Sequence, residues 1–210
     1  MSTLLKVQHL GLQEYQPIWE EMKSFTASRT HKTPDEIWLL QHPPVFTLGQ
    51  NADKNHLLDP GNIPVIPIDR GGQVTYHGPG QLIAYLLIDL KRKELGIRSF
   101  VNLLEKLIID LLARYGIEAK GNASAHGVYV KEAKIASIGL RLKRFCTFHG
   151  ISLNVDMDLT PFSQINPCGM PGLQVTQLKT HAPHCEFLEV EQNFIEVFNH
   201  HFISPSKKVI

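Results

Sequence analysis

The sequence predicts an α+β fold with a mixed or antiparallel sheet. Two observations lead there. Strand-like runs follow one another across short turns, most clearly HGVYV, KIASIGLRL and CTFHGISLNV between His126 and Val155. Helical stretches stand apart from them, in the order helix, strands, helix, strands, helix, which is not the strict βα alternation of a doubly wound sheet.

Each element has its own signal. Tyr15, Ile18, Trp19, Met22 and Phe25 recur at helical spacing, so a helix is predicted over Gln13 to Ser28, with Pro17 tolerated only in its first turn. EIWLLQ, Glu36 to Gln41, reads as a strand that Pro43-Pro44 ends. VFTLG, Val45 to Gly49, reads as its hairpin-like partner. A polar loop, Asn51 to Gly61, leads to a short strand at Pro64 to Asp69 and then to RGGQVTYHGPGQ, a glycine-rich connection across a sheet edge. LIAYLLID follows as a buried strand. Phe100, Leu103, Leu104, Leu107, Ile108, Leu111, Leu112 and Tyr115 form one apolar stripe. Ser99 is the expected N-cap of that helix and Gly116 its stop. Val190, Phe194, Val197, Phe198 and His201 mark a last helix.

Composition bounds the function. The chain has 210 residues, with Lys+Arg 21 against Asp+Glu 20 and a net charge of +1. That balance lacks the basic excess of a general nucleic-acid binder, and Lys91-Arg92-Lys93 reads as solvated surface. No apolar run approaches the roughly 18 residues of a membrane span, and the first residues lack a signal-peptide core. The expectation is a soluble protein of the cytoplasm, without membrane or nucleic-acid partners. Three cysteines, Cys146, Cys168 and Cys185, do not suggest a disulfide framework. HAPHC, His181 to Cys185, matches no zinc spacing, so no metal is expected.

Three stretches hold the candidate chemistry. Arg70 to Gln81 contains four glycines beside Arg70, Gln73, Thr75, Tyr76 and His77. No P-loop pattern is present, and the glycines lead from strand to strand, so the stretch is no phosphate cradle. It suits an elongated ligand lying against main chain, or simply a long turn. Cys168, set between Pro167 and Gly169, sits where regular structure breaks and a side chain is exposed. Cys146 reads as buried filler and Cys185 as a surface or half-buried thiol. Lys134 opens the apolar run KIASIG. On its own it reads as a surface lysine at a strand end, with a desolvated amine as the alternative.

RGGQVTYHGPGQL at 70–82, HGVYV with KIASIGLRL at 126–142, FHGISLNV at 148–155, NPCGM at 166–170 and HPPVFTLG at 42–49 together resemble the lipoyl(octanoyl) transferase family. The resemblance implies one catalytic domain over residues 1–210. It would be an α/β domain like those of biotin and lipoate protein ligases, a mixed, mostly antiparallel sheet flanked by helices. It implies transfer of an octanoyl group from the phosphopantetheine thiol of acyl carrier protein, through an enzyme thioester, to a lysine of lipoyl domains. Those lipoyl domains belong to 2-oxoacid dehydrogenase complexes and glycine-cleavage H protein. Neither ATP nor a metal is implied. Cys168 would be the acyl-bearing nucleophile and Lys134 its partner. Substrate would lie on Arg70, Gly71, Gly72, Gln73, Val74, Thr75, Tyr76 and His77, on Ser137, Ile138 and Gly139, and on Gly150, Ile151 and Ser152. His77 is expected either to move protons or to position its turn. The rival reading is an ATP-dependent lipoate or biotin protein ligase, which needs no cysteine nucleophile. A second rival is a non-enzymatic module that binds carrier protein or lipoyl domains. A basic patch at Arg141, Lys143 and Arg144 is the expected landing place for an acidic carrier.

Overall fold

The computed structural model describes residues 5–122 and 125–202. Among the described residues ten strands form two sheets. Strand β1 (Leu5–Leu12) lies parallel to β2 (Asp35–Gln41). The intervening helix α1 (Tyr15–Ser28) crosses the sheet, with Pro17 in its first turn as expected. Strands β3 (Val45–Leu48), β4 (Val65–Pro67) and β5 (Val74–His77) build a small sheet ordered β4-β3-β5. Then come β6 (Gln81–Leu87), helix α2 (Ile97–Ala113), β7 (Lys120–Gly121), β8 (Gly127–Val130), β9 (Ala133–Lys143) and β10 (Cys146–Asn154). Helices α3 (Leu178–His181) and α4 (Phe187–Phe202) follow. The large sheet runs β1-β2-β6-β10-β9-β8-β7, antiparallel except for its first pair.

The large sheet is buried on both faces. Ile37, Leu39, Leu82, Ala84, Leu86, Ile151 and Leu153 point at α2 and α4, meeting Leu104, Leu107, Leu111, Phe194 and Phe198. The alternate residues Trp38, Leu40, Ile83, Tyr85, Leu87 and Phe148 meet Ile18 and Met22 of α1. Two apolar faces explain why β2 and β6 read as continuous apolar runs and not as alternating strands. Each large buried aliphatic or aromatic side chain stabilises this core by roughly 1.5–3 kcal/mol.

Four expectations are corrected here. β1 was not anticipated; its KVQHLG core is polar enough to hide an edge strand. β3 does not pair with β2: Pro43-Pro44 passes the chain from the large sheet to the small one, where β3 lies antiparallel to β5 and parallel to β4. The glycine stretch is therefore partly a strand, because Val74–His77 finds partners on β3. Gly96, and not Ser99, stands at the N-cap of α2; Ser99 lies inside the first turn. Gly116 ends that helix with φ +70°, as expected.

Surface readings shift too. Arg92 donates to buried Asp35 at 2.5 Å, and Arg29 donates to the same carboxylate oxygen at 2.7 Å. Part of the supposed solvated run is thus structural. Cys185 is 5% exposed and belongs to the main core, while Cys146 is only half-buried. Exposed Arg144 donates to the carbonyl of Ala27 at 2.6 Å, so it also ties the end of α1. No described helix is long and apolar enough to cross a membrane. Among the described residues no cluster of three or more His, Cys, Asp or Glu could hold a metal ion.

Candidate active site

Lys134 begins β9 and is 2% exposed, so the surface reading of this lysine is wrong. Its backbone joins the segment that follows the cysteine turn. Lys134 N–H donates to the Gln174 carbonyl at 2.8 Å, and Thr176 N–H donates to the Lys134 carbonyl at 2.9 Å. A bulge in the β8–β9 pairing, where Val128 faces Ala136 and Tyr129 faces Lys134, re-aims the side chain. Nζ then donates to the His126 carbonyl at 2.9 Å and lies 2.9 Å from Cys168 Sγ. Glu105 of α2 fixes that carbonyl-bearing loop by accepting from Gly127 N–H at 3.2 Å.

Cys168 sits in a short 3-10 turn, Pro167–Gly169, at φ +58° and ψ 18°. A left-handed conformation at a residue with a Cβ costs about 1–2 kcal/mol. Flanking bonds hold it there: Asn166 N–H donates to the His56 carbonyl at 2.8 Å and Gly169 N–H to the Asn166 carbonyl at 2.9 Å. The half-exposed thiol is thereby presented beside the lysine.

Cys168 borders a cavity of about 360 Å³. Of the sequence-predicted binding residues, Arg70, Gly71, Gly72, Gln73, Val74, Thr75, His77, Ser137, Ile138, Gly139, Gly150, Ile151 and Ser152 all line it. Tyr76 does not. It is 3% exposed and packs on Phe46 and Phe162, behind the small sheet, because Thr75 and His77 take the other face of β5. Ile83, Ile97, Val101 and Leu140 add apolar wall. Gly139 is glycine for a visible reason: a Cβ there would stand 3.0 Å from Arg70 Cδ.

Arg70 is buried without a carboxylate. Its guanidinium donates to the Thr47 carbonyl and hydroxyl, both at 2.9 Å, and to the Gly71 carbonyl at 3.0 Å. Burial pulls its pKa below the ordinary value. Tyr15, Tyr85, His42 and His149 form the polar surroundings that sequence reasoning missed. His42 and His149 fall within the motifs HPPVFTLG and FHGISLNV, one in the connection after β2 and the other in β10 at φ +59°, but neither motif marks its histidine as part of the site; Tyr15 and Tyr85 lie in an ordinary helix and strand with no signal of their own. His42 Nδ1 must donate to the Gln13 carbonyl at 2.6 Å, so Nε2 accepts from the Tyr85 hydroxyl at 2.7 Å. Burial pushes His42 down to about 4 and lifts Tyr15 and Tyr85 well above their ordinary range. His77 is pushed down to about 3, first by burial and then by neighbouring His42. Both its nitrogens are engaged, Nδ1 with Gln81 Oε1 at 2.7 Å and Nε2 with Thr47 Oγ1 at 3.4 Å. Of the two roles expected for His77, the geometry favours positioning.

Fold and site together are an α/β domain with its sheet layered between helices, an apolar cavity, and a thiol–amine pair at the cavity's border. Residues 14–199 match the lipoyl protein ligase A/B catalytic domain, and the chain belongs to that family. It is 56% identical over 190 residues to the octanoyltransferase of Pseudomonas fluorescens, covering 90% of this chain and 88% of that protein. It is 53% identical over 195 residues to the octanoyltransferase of Shewanella frigidimarina, covering 93% and 90%. Among solved structures, the bi-partite lipoate protein ligase of Thermoplasma acidophilum superposes with TM-score 0.74 at 15% identity, over 94% of this chain and 84% of that one. Biotin protein ligase from Aquifex aeolicus superposes with TM-score 0.56 at 12% identity, over 96% and 70%. At such identities the structural likeness shows the shared fold.

Proposed function

We propose that this protein is an acyltransferase that moves an octanoyl group from octanoyl-acyl carrier protein, through a thioester on Cys168, to a lysine of lipoyl domains. Its relatives named octanoyltransferase support octanoyl transfer. The observation that carries the covalent route is the 2.9 Å approach of Lys134 Nζ to Cys168 Sγ beside an apolar cavity.

The chemistry balances without ATP or metal, because the donor thioester is already activated. The Cys168 sulfur attacks the octanoyl carbonyl as its proton passes to Lys134, the bond to the phosphopantetheine sulfur breaks, and that sulfur leaves with the proton Lys134 gives back. The acyl chain lies in the cavity against Gly71, Gly72 and Gly139. The amine of the target lysine then attacks the enzyme thioester. Lys134 takes a proton from that amine, which is otherwise mostly protonated since free lysine titrates near 10.4. The amide forms as the carbon–sulfur bond breaks, and the Cys168 sulfur leaves with the proton that Lys134 took. Splitting the transfer into two steps predicts ping-pong kinetics. In this reading residues 1–210 act as one catalytic domain in the cytoplasm, on lipoyl domains of 2-oxoacid dehydrogenase complexes and glycine-cleavage H protein.

The test is intact-protein mass spectrometry after mixing with octanoyl-acyl carrier protein, without ATP. The wild type should gain one octanoyl group that hydroxylamine removes, and Cys168→Ala should gain none. Octanoylation of a lipoyl domain that requires free octanoate and ATP would support the ligase reading instead. Unchanged transfer by Cys168→Ala would remove the thioester.

A further inference from the structure

A chain of buried hydrogen bonds leaves Arg70 and ends at the strand that bears Lys134. Its polarity is fixed at both ends, because a guanidinium only donates and a carbonyl only accepts. Arg70 Nη2 donates to Thr47 Oγ1 at 2.9 Å, and Thr47 donates in turn to His77 Nε2 over a longer 3.4 Å. His77 Nδ1 donates to Gln81 Oε1 at 2.7 Å. Gln81 Nε2 donates to Asn154 Oδ1 at 2.9 Å, and Asn154 Nδ2 to the Thr176 carbonyl at 2.9 Å. Thr176 N–H closes the path on the Lys134 carbonyl at 2.9 Å.

We infer that Gln81 and Asn154 are positioning residues, whose paired amides hold the Arg70–His77 wall of the cavity in register with the strand that aims Lys134. They face each other directly, Gln81 at the start of β6 and Asn154 at the end of β10. Both are buried, and neither borders the cavity. Each uses its carbonyl oxygen as acceptor and its NH2 as donor, so neither an acid nor an apolar isostere reproduces the pair. Their combined span sets the distance between His77 and Thr176. A buried polar network in which every member is engaged specifies one arrangement, whereas a half-satisfied one does not.

This inference rests on the proposed roles of Cys168 and Lys134, and its test keeps the two apart. Rates of Cys168 octanoylation and of transfer to a lipoyl domain are measured for wild type, Gln81→Asn, Asn154→Gln and the double variant that restores the combined span. Folding of each is checked by circular dichroism. Each single variant should lose about tenfold or more in kcat with KM for the carrier within about twofold, since alignment is disturbed and docking is not. The double variant should recover a substantial part of the loss. Should one single variant fail to fold, the other and the double variant carry the test. Wild-type acylation with full rates in the folded single variants overturns the inference alone. Additive loss in the double variant also overturns it. Absence of acylation in the wild type overturns the thioester reading and this inference together.

Discussion

The side chain of Lys134 passes through the space that Gly127 leaves empty. A Cβ at Gly127 would stand 2.6 Å from Lys134 Cε and 2.4 Å from the Ala136 carbonyl oxygen, and Gly127 has φ +144°. Two independent constraints, one steric and one conformational, thus fall on a single position. Gly127→Ala is expected to fold less stably and to lose about a hundredfold in transfer rate, because an amine displaced by an ångström no longer meets the sulfur. Steady-state kinetics on a lipoyl domain check it, and a loss below about threefold would show that the lysine can reach Cys168 by another path.

The left-handed backbone at Cys168 separates function from stability. Cys168→Gly and Cys168→Ala should both be inactive. Cys168→Gly should be the more stable by about 1 kcal/mol, since glycine adopts φ +58° without the Cβ penalty. Urea unfolding of the two variants measures the difference directly. Equal stabilities would mean that the turn relaxes when the thiol is removed.

Burial makes three histidines acid-sensitive. His42 and His77 are pushed down to about 4 and about 3, and His149 is lowered by burial despite its contact with Asp69. In the unfolded chain each titrates near 6.5. Below that pH the unfolded state binds protons that the native state refuses, so stability is full above about pH 6.5 and falls as pH drops towards 4. His42 and His77 alone contribute a slope on the order of 2–3 kcal/mol per pH unit between about pH 6 and 4.5. Urea midpoints at pH 7.5, 6.0 and 5.0 should decline accordingly, and His42→Asn should flatten the curve. A midpoint that holds from pH 7.5 to 5.0 would show these rings accept protons in the folded state.

Tyr76 supplies a negative control. Its ring packs between Phe46 and Phe162 and away from the cavity. Tyr76→Phe should therefore change KM for the acyl donor by less than about twofold. Thr75→Val on the opposite face of the same strand should change it more. The reverse order would place the acyl chain behind the small sheet.

The Cys168–Lys134 pair was half legible in the sequence. Cys168 stands out because prolines and glycines around a thiol exclude a regular, buried setting. Lys134 stands out less, because a lysine at a strand end looks alike whether its tip meets water or two carbonyls; the apolar run KIASIG raised a desolvated amine only as the alternative, and the family resemblance tipped the choice. The large sheet was readable from its apolar runs, but the partner of β3 was not. Pairing is set by where Pro43-Pro44 sends the chain, and two prolines announce a break without giving its direction. The polar surroundings of Arg70 were silent for a related reason. Tyr15, His42, Tyr85 and His149 come from α1, the connection after β2, β6 and β10, and their meeting is a property of packing alone.

The acceptors that seat the Lys134 amine include the main-chain oxygens of Ala125 and His126, at 3.4 and 2.9 Å. A peptide oxygen is supplied by every amino acid. Neither contact depends on which side chain stands at 125 or 126; those side chains have separate tasks, both lining the cavity and His126 Nδ1 meeting Glu105 Oε1 at 3.3 Å. The seat of the amine is thus a matter of backbone path, and Gly127, which does not bond to the amine at all, confines it more tightly through its missing Cβ than the side chains of the two residues that do.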